Sequence, residues 1–311
     1  MIHVRALAVL LMFAAVAAWP RAAGVEGRYA LIVSGVSGSE KFAESQKAWV
    51  SSLQATLLNR LGFAADHVTV LSEDGTAGAA ATRENVTRAL AALRPRLTAD
   101  DTLLIVLLGH GTYDGAAAKF NLVGPDMDSR EWKAGLEGSP ARLVFVNTTS
   151  SSFQFVPALA GKNRVVIAAT DSAAQKYATV FPQYFIEALD EIAKADNDKN
   201  GRLSVWEAFT YAGQAVKQAF DQKGTLVTER SIIDDGANGV LAKTTFLDPA
   251  PAATSANAAV AGLDKRRIAI EAEIEQLKTR KGQMPAGQYE EEFERLAIEL
   301  AKISAQIRSA K

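Results

Sequence analysis

The chain has 311 residues, 48% of them hydrophobic, which is enough to bury one sizeable domain with further segments and excludes a disordered tail. A formal net charge of -1 leaves no basic excess for a phosphate backbone, so nucleic acid drops out as a partner. Zero cysteines exclude disulfides, thiolate zinc sites and a cysteine nucleophile.

Behind Arg5, Ala6 to Ala18 is an apolar run too short and too rich in small residues for a membrane span, and Val16-Ala17-Ala18 offers a cleavage point before Trp19. Residues 1–23 read as a signal peptide and leader. The expected destination is the periplasm or secretion, where a cysteine-free mature chain has nothing to misoxidise and no site for a lipid anchor.

Tyr29 to Ser34 (YALIVS) predicts a first buried strand, and Val50, Leu53, Leu57 and Leu61 mark a helix stopped by Gly62. Between them Gly35 to Lys41 (GVSGSEK) misses a phosphate loop, because Glu40 stands where a glycine must let the backbone approach an anion. His67 to Leu71 is a short second strand, with His67 read as a surface residue at its start. Thr82 opens a helix carrying Val86, Leu90 and Leu93, and Pro95 ends or kinks it.

Leu103 to Leu108 is six large apolar residues in a row, the pattern of a strand buried on both faces, and it runs straight into Gly109-His110-Gly111. Phe120 to Pro125 reads as a short extended return. Arg142 to Asn147 (RLVFVN) is the next buried strand and breaks into five hydroxyl residues, Thr148 to Ser152. Arg164 to Thr170 is a further strand, ending at Asp171-Ser172. Strands alternating with amphipathic helices predict an α/β fold with a mainly parallel sheet sandwiched by helices. Ligands of such sheets sit beyond the carboxyl ends of the strands, so His110 and the hydroxyl run are expected to share one crevice.

Phe181, Phe185, Leu189 and Ile192 mark a helix leading into Asp196-Asn197-Asp198-Lys199-Asn200-Gly201-Arg202-Leu203-Ser204-Val205-Trp206-Glu207. Those twelve residues follow the EF-hand loop: oxygen side chains at positions one, three, five and nine, glycine at six, an apolar residue at eight and glutamate at twelve. A hard cation wants six to eight oxygens, which Asp196, Asp198, Asn200, the Arg202 carbonyl, Ser204 and Glu207 would supply, and calcium is the expected cofactor. Lys199 and Arg202 lower the loop's negative charge, and Ala208 follows where a large apolar residue is usual. A weak site, of order 10⁻⁴ to 10⁻³ M, would still fill outside the cytosol. Trp206, Phe209, Val216 and Phe220 are expected on one side of a second helix.

Leu247 to Gly262 is a Pro/Ala/Ser stretch without periodicity, read as a linker. Leu263, Ile270, Ile274 and Leu277, then Phe293, Leu296, Leu300, Ile303 and Ile307, form two stripes either side of Gly282 to Gly287, which predicts a C-terminal antiparallel helical hairpin with coiled-coil character. Its exposed stripes need cover from its own domain, a second copy or a partner. The organisation is then a leader, an α/β domain over 24–246, a linker over 247–262 and a hairpin over 263–311.

The strand LLIVLLGHG followed by a second buried strand RLVFVN with a loop at its end resembles the caspase-like cysteine peptidases, most closely the legumain branch, over about residues 28 to 240. The resemblance implies a mainly parallel six-stranded sheet between helices, His110 as general base, the Gly111 amide at the oxyanion hole and a nucleophile at Thr149. That position is a thiol in the family. A threonine hydroxyl needs a strong neighbouring base and strict geometry, and neither it nor Ser150, Ser151 or Ser152 lies in a Gly-x-Ser-x-Gly elbow. The favoured expectation is a secreted pseudo-peptidase, stabilised by calcium, that binds protein or peptide partners through its crevice and hairpin. The alternative is a hydrolase in which His110 activates a hydroxyl among Thr149 to Ser152.

Overall fold

A computed structural model describes residues 27–249 and 258–309; the leader and half of the stretch read as a linker, 250–257, lie outside them. In chain order the strands are β1 (Arg28–Ser34), β2 (Val68–Ser72), β3 (Ala79–Ala80), β4 (Thr102–Leu108), β5 (Gly111–Tyr113), β6 (Ala118–Phe120), β7 (Met127–Asp128), β8 (Arg142–Asn147), β9 (Arg164–Ala168) and β10 (Ile232–Asp234). The α-helices are α1 (Glu40–Ala55), α2 (Arg83–Leu93), α3 (Ser129–Gly135), α4 (Phe155–Leu159), α5 (Phe181–Asp190), α6 (Ile192–Ala195), α7 (Val205–Lys223), α8 (Val240–Thr244), α9 (Ala258–Arg280) and α10 (Ala286–Ser309).

Seven strands form one sheet in the order β10-β9-β8-β4-β1-β2-β3, one more than the six expected, and every pair is parallel except β10 with β9. The uninterrupted apolar run of β4 follows from its central place. Leu104, Val106 and Leu108 pack on one face with α1, α5 and α7. Leu103, Ile105 and Leu107 pack on the other with α2, α3 and α4. No face of β4 meets water, so no polar alternation is needed. The chain builds β2 and β3 to one side of β1 and returns through β4 to the other. The carboxyl ends of β1 and β4 therefore flank the point where strand order reverses, where α/β sheets open a crevice.

Three readings change. The segment around Phe120 is the middle of a three-stranded antiparallel sheet, β5-β6-β7, whose strands of two or three residues are too short to show a period. His67 is not a plain surface residue: its ring stacks on Tyr29 at 3.9 Å and its Nδ1 lies 3.1 Å from the Arg28 carbonyl. On α7 the buried face is Val205, Ala208, Ala212, Val216 and Ala219, while Trp206, Phe209 and Phe220 pack only partly against the core. Small residues let α7 approach closely, and Ala208 is fully buried for that reason.

The C-terminal pair buries Ile270, Ile274 and Leu277 of α9 against Leu296, Ile303 and Ile307 of α10, with Leu263, Phe293 and Leu300 partly covered. Leu247, at the head of the stretch read as linker, is fully buried, and α9 begins at Ala258, inside the same stretch. Among the described residues no helix is long and apolar enough to cross a membrane.

Candidate functional site

Two regions hold the candidate residues, the carboxyl ends of β1, β4 and β8 and the acidic loop before α7. At the strand ends, Gly109 turns the chain out of β4 with φ +134°, a conformation that favours glycine, and leads into the half-buried His110. The His110 ring meets the edge of Phe42 with centroids 4.8 Å apart, and its Nε2 lies 2.9 Å from the Ser37 carbonyl. A carbonyl only accepts, so Nε2 is the donor in this contact. Sequence reasoning missed Ser37, because nothing in a small-residue turn marks a carbonyl that will orient a histidine.

The hydroxyl run lies beside that turn. A Cβ on Gly111 would stand 2.3 Å from the Ser150 carbonyl and 2.6 Å from the Thr149 hydroxyl, so the second glycine is required by close approach of the two loops. Yet the hydroxyls are committed elsewhere. Thr148 donates to the Leu107 carbonyl at 2.6 Å. Thr149 is fully buried and donates to Asn147 Oδ1 at 2.7 Å. Ser150 donates to the Gly111 carbonyl at 2.9 Å while its oxygen accepts from the Gly111 amide at 3.3 Å. Ser152 is paired with the Thr170 hydroxyl at 3.0 Å. Ser151 differs: its backbone is left-handed, φ +52°, at the turn from β8 toward α4, and its amide donates to the Gln175 carbonyl at 3.0 Å. A non-glycine residue there stores strain of order 1 kcal/mol.

Behind the run, Thr179 donates to the Thr148 carbonyl at 2.5 Å. The buried carboxylate of Glu229 accepts the Val180 amide at 2.9 and 3.0 Å. Burial pushes the Glu229 carboxyl up to about 7, opposed by the amides of Val180 and Phe181. Glu229 thus ties the loop before β10 to the start of α5. Its sequence neighbourhood, TLVTERS, gave no spacing by which to find it.

In the acidic loop, Asp196, Asp198 and Glu207 each offer a carboxylate oxygen, all within 4.8 Å of one another. Backbone amides set them: Asn200 and Gly201 donate to Asp196 at 3.1 and 2.9 Å, Asn200 donates to Asp198 at 3.0 Å, and Arg202 donates to Asn200 Oδ1 at 2.8 Å. Lys199 and Gly201 supply the left-handed backbone that curls the loop, with φ of +59° and +81°. Ser204 caps α7, its hydroxyl donating to Glu207 Oε2 at 2.7 Å while the Glu207 amide donates back at 3.2 Å. The Asn197 amide reaches Glu207 Oε1 at 2.9 Å. Burial, then the charge of Glu207, raises the Asp198 carboxyl above its usual range. Crowded carboxylates with lone pairs to spare fit a hard divalent cation, which would relieve their repulsion. The Arg202 side chain turns away, buried against Asp248 at 2.9 Å and 3.9 Å over the Phe246 ring.

The chain is thus an α/β protein with a mostly parallel sheet, a C-terminal helical pair and an acidic loop able to hold a cation. No protein-family model matches the sequence, and no curated protein matches it. Among solved structures, the crystal structure of protein GSU0716 from Geobacter sulfurreducens aligns over 72% of this chain and 100% of its own, at 13% identity and a TM-score of 0.46.

Proposed function

We propose that this is a secreted caspase-like pseudo-peptidase, braced by calcium at Asp196 to Glu207, that serves as a binding or scaffold module through its crevice and helical pair. The observation that carries the reading is the bonding of the nucleophile position. Thr149 spends its proton on Asn147 inside the core, and Ser150 occupies the Gly111 amide that an oxyanion would need. Activation by His110 would require a hydroxyl within about 2.6 to 3.2 Å of its free nitrogen, and Thr149 has no hydrogen bond to His110. What remains is a half-buried histidine oriented by the Ser37 carbonyl, which fits a binding face better than a cutting site.

Calcium, when bound, would cross-link the end of α6 to the start of α7 through Asp196, Asp198 and Glu207, with Asn200, Ser204 and the Arg202 carbonyl completing the oxygen set. Calorimetric titration of the mature chain is expected to show calcium heat that disappears in Asp196→Asn and Glu207→Gln. Peptide libraries are expected to go uncleaved, and His110-dependent turnover would overturn the reading. The hydrolase alternative, with a hydroxyl among Thr149 to Ser152, draws support from the left-handed backbone of Ser151 alone, and Ser151 is itself buried.

A further inference from the structure

The helical pair meets the domain through the elements that build the acidic loop. Trp206, inside the loop, lies beneath the Lys243 ammonium, 5.1 Å from the ring centroid. Gly239 approaches the same ring so closely that a Cβ would stand 3.0 Å from it. Lys243 on α8 pairs in turn with Glu275 of α9, which also holds Lys278 at 2.7 Å. Ser204 bridges antiparallel to Phe246, the Val205 amide donates to the Thr245 carbonyl at 2.9 Å, and Arg202 grips Asp248. The strap from Gly239 to Asp248 therefore contacts the loop through Gly239, Thr245, Phe246 and Asp248, and α9 through Lys243.

Glu271 stands one turn before Glu275 on α9, so the two share a face. It is half-buried and pairs with Arg267 at 2.9 Å; burial raises its carboxyl above the usual range, opposed by Arg267, and the charge of Asp198 raises it further. Without a cation, the carboxylates of Asp196, Asp198 and Glu207 add to the negative charge of Glu271 and Glu275, offset by Lys243, Arg267 and Arg202. A divalent cation cancels two of the three loop charges and so lowers that repulsion.

We propose that cation binding in the loop and docking of α9 on α8 are coupled through the strap, with Lys243 joining Trp206 of the loop to Glu275 of α9. The inference rests on the cation reading of Asp196 to Glu207. Coupling of two equilibria is reciprocal: the factor by which the cation favours docking is the factor by which docking favours the cation.

Hydrogen exchange of the full chain, read by mass spectrometry in chelator and in saturating calcium, reports docking; calorimetry reports affinity. Calcium is expected to raise protection across Ala258–Arg280. Glu271→Gln should raise protection in the calcium-free protein, shrink the calcium-dependent gain and weaken calcium binding about two- to fivefold. Lys243→Ala, which touches no loop carboxylate, should lower protection of α9 and weaken calcium as well. Calcium heat with unchanged α9 exchange and unchanged affinity in both variants overturns the coupling and leaves the cation reading standing. Absence of calcium heat in the parent chain overturns both.

Discussion

Replacing Glu229 with glutamine removes one buried charge from the hinge between the loop before β10 and the start of α5, and the consequence is pH-dependent. Burial raises its carboxyl from 4.5 to about 7, so the folded protein holds this proton more tightly than the unfolded chain does. Stability from the group is fully present below about 4.5 and is lost as pH rises through about 7. A shift of that size, at about 1.36 kcal/mol per unit, makes the wild type lose about 2 to 3 kcal/mol between pH 5 and pH 8 through this residue. Glu229→Gln keeps an acceptor for the Val180 amide and titrates nowhere in that range. Urea unfolding followed by circular dichroism at pH 5, 6, 7 and 8, in chelator to hold the loop metal-free, should show the variant gaining on the wild type as pH rises. Parallel stability profiles would refute the reasoning.

Other perturbations have definite outcomes. Gly111→Ala places a methyl 2.3 Å from the Ser150 carbonyl and should cost about 2 to 3 kcal/mol in denaturant unfolding, because backbone on both sides must move. Asp248→Ala leaves the buried Arg202 guanidinium without its carboxylate and should cost about 3 to 5 kcal/mol in the same assay. Calcium at a hundred times its dissociation constant should stabilise the chain by about 2.7 kcal/mol, seen as a raised melting midpoint that Asp196→Asn abolishes.

The central strands were legible because burial on both faces removes polar residues, and Leu103 to Leu108 could be read as a strand without any partner in view. The helical pair was legible because its stripes recur over many turns. The face of α7 was not: large aromatics dominate a reading by size, whereas close helix packing selects Ala208, Ala212 and Ala219. In the acidic loop the nearness of Asp196, Asp198 and Glu207 was legible, since backbone amides a few positions away hold their carboxylates. The neighbourhood of His110 and the hydroxyl run could be read, but not its bonding. That Ser150 donates to Gly111 depends on a contact between the loops after β4 and β8 that no local spacing encodes, and the two-residue bond of Thr149 to Asn147 depends on how the chain turns at the end of β8.

The most direct test of the crevice is covalent. The full chain, treated with a fluorophosphonate hydroxyl probe with and without calcium and weighed as intact protein, should remain unmodified, because the hydroxyls of Thr149, Ser150 and Ser152 are bound within the fold and Ser151 is buried. A single adduct on Thr149 to Ser152 that disappears in His110→Ala would contradict the account and restore the chain to the hydrolases.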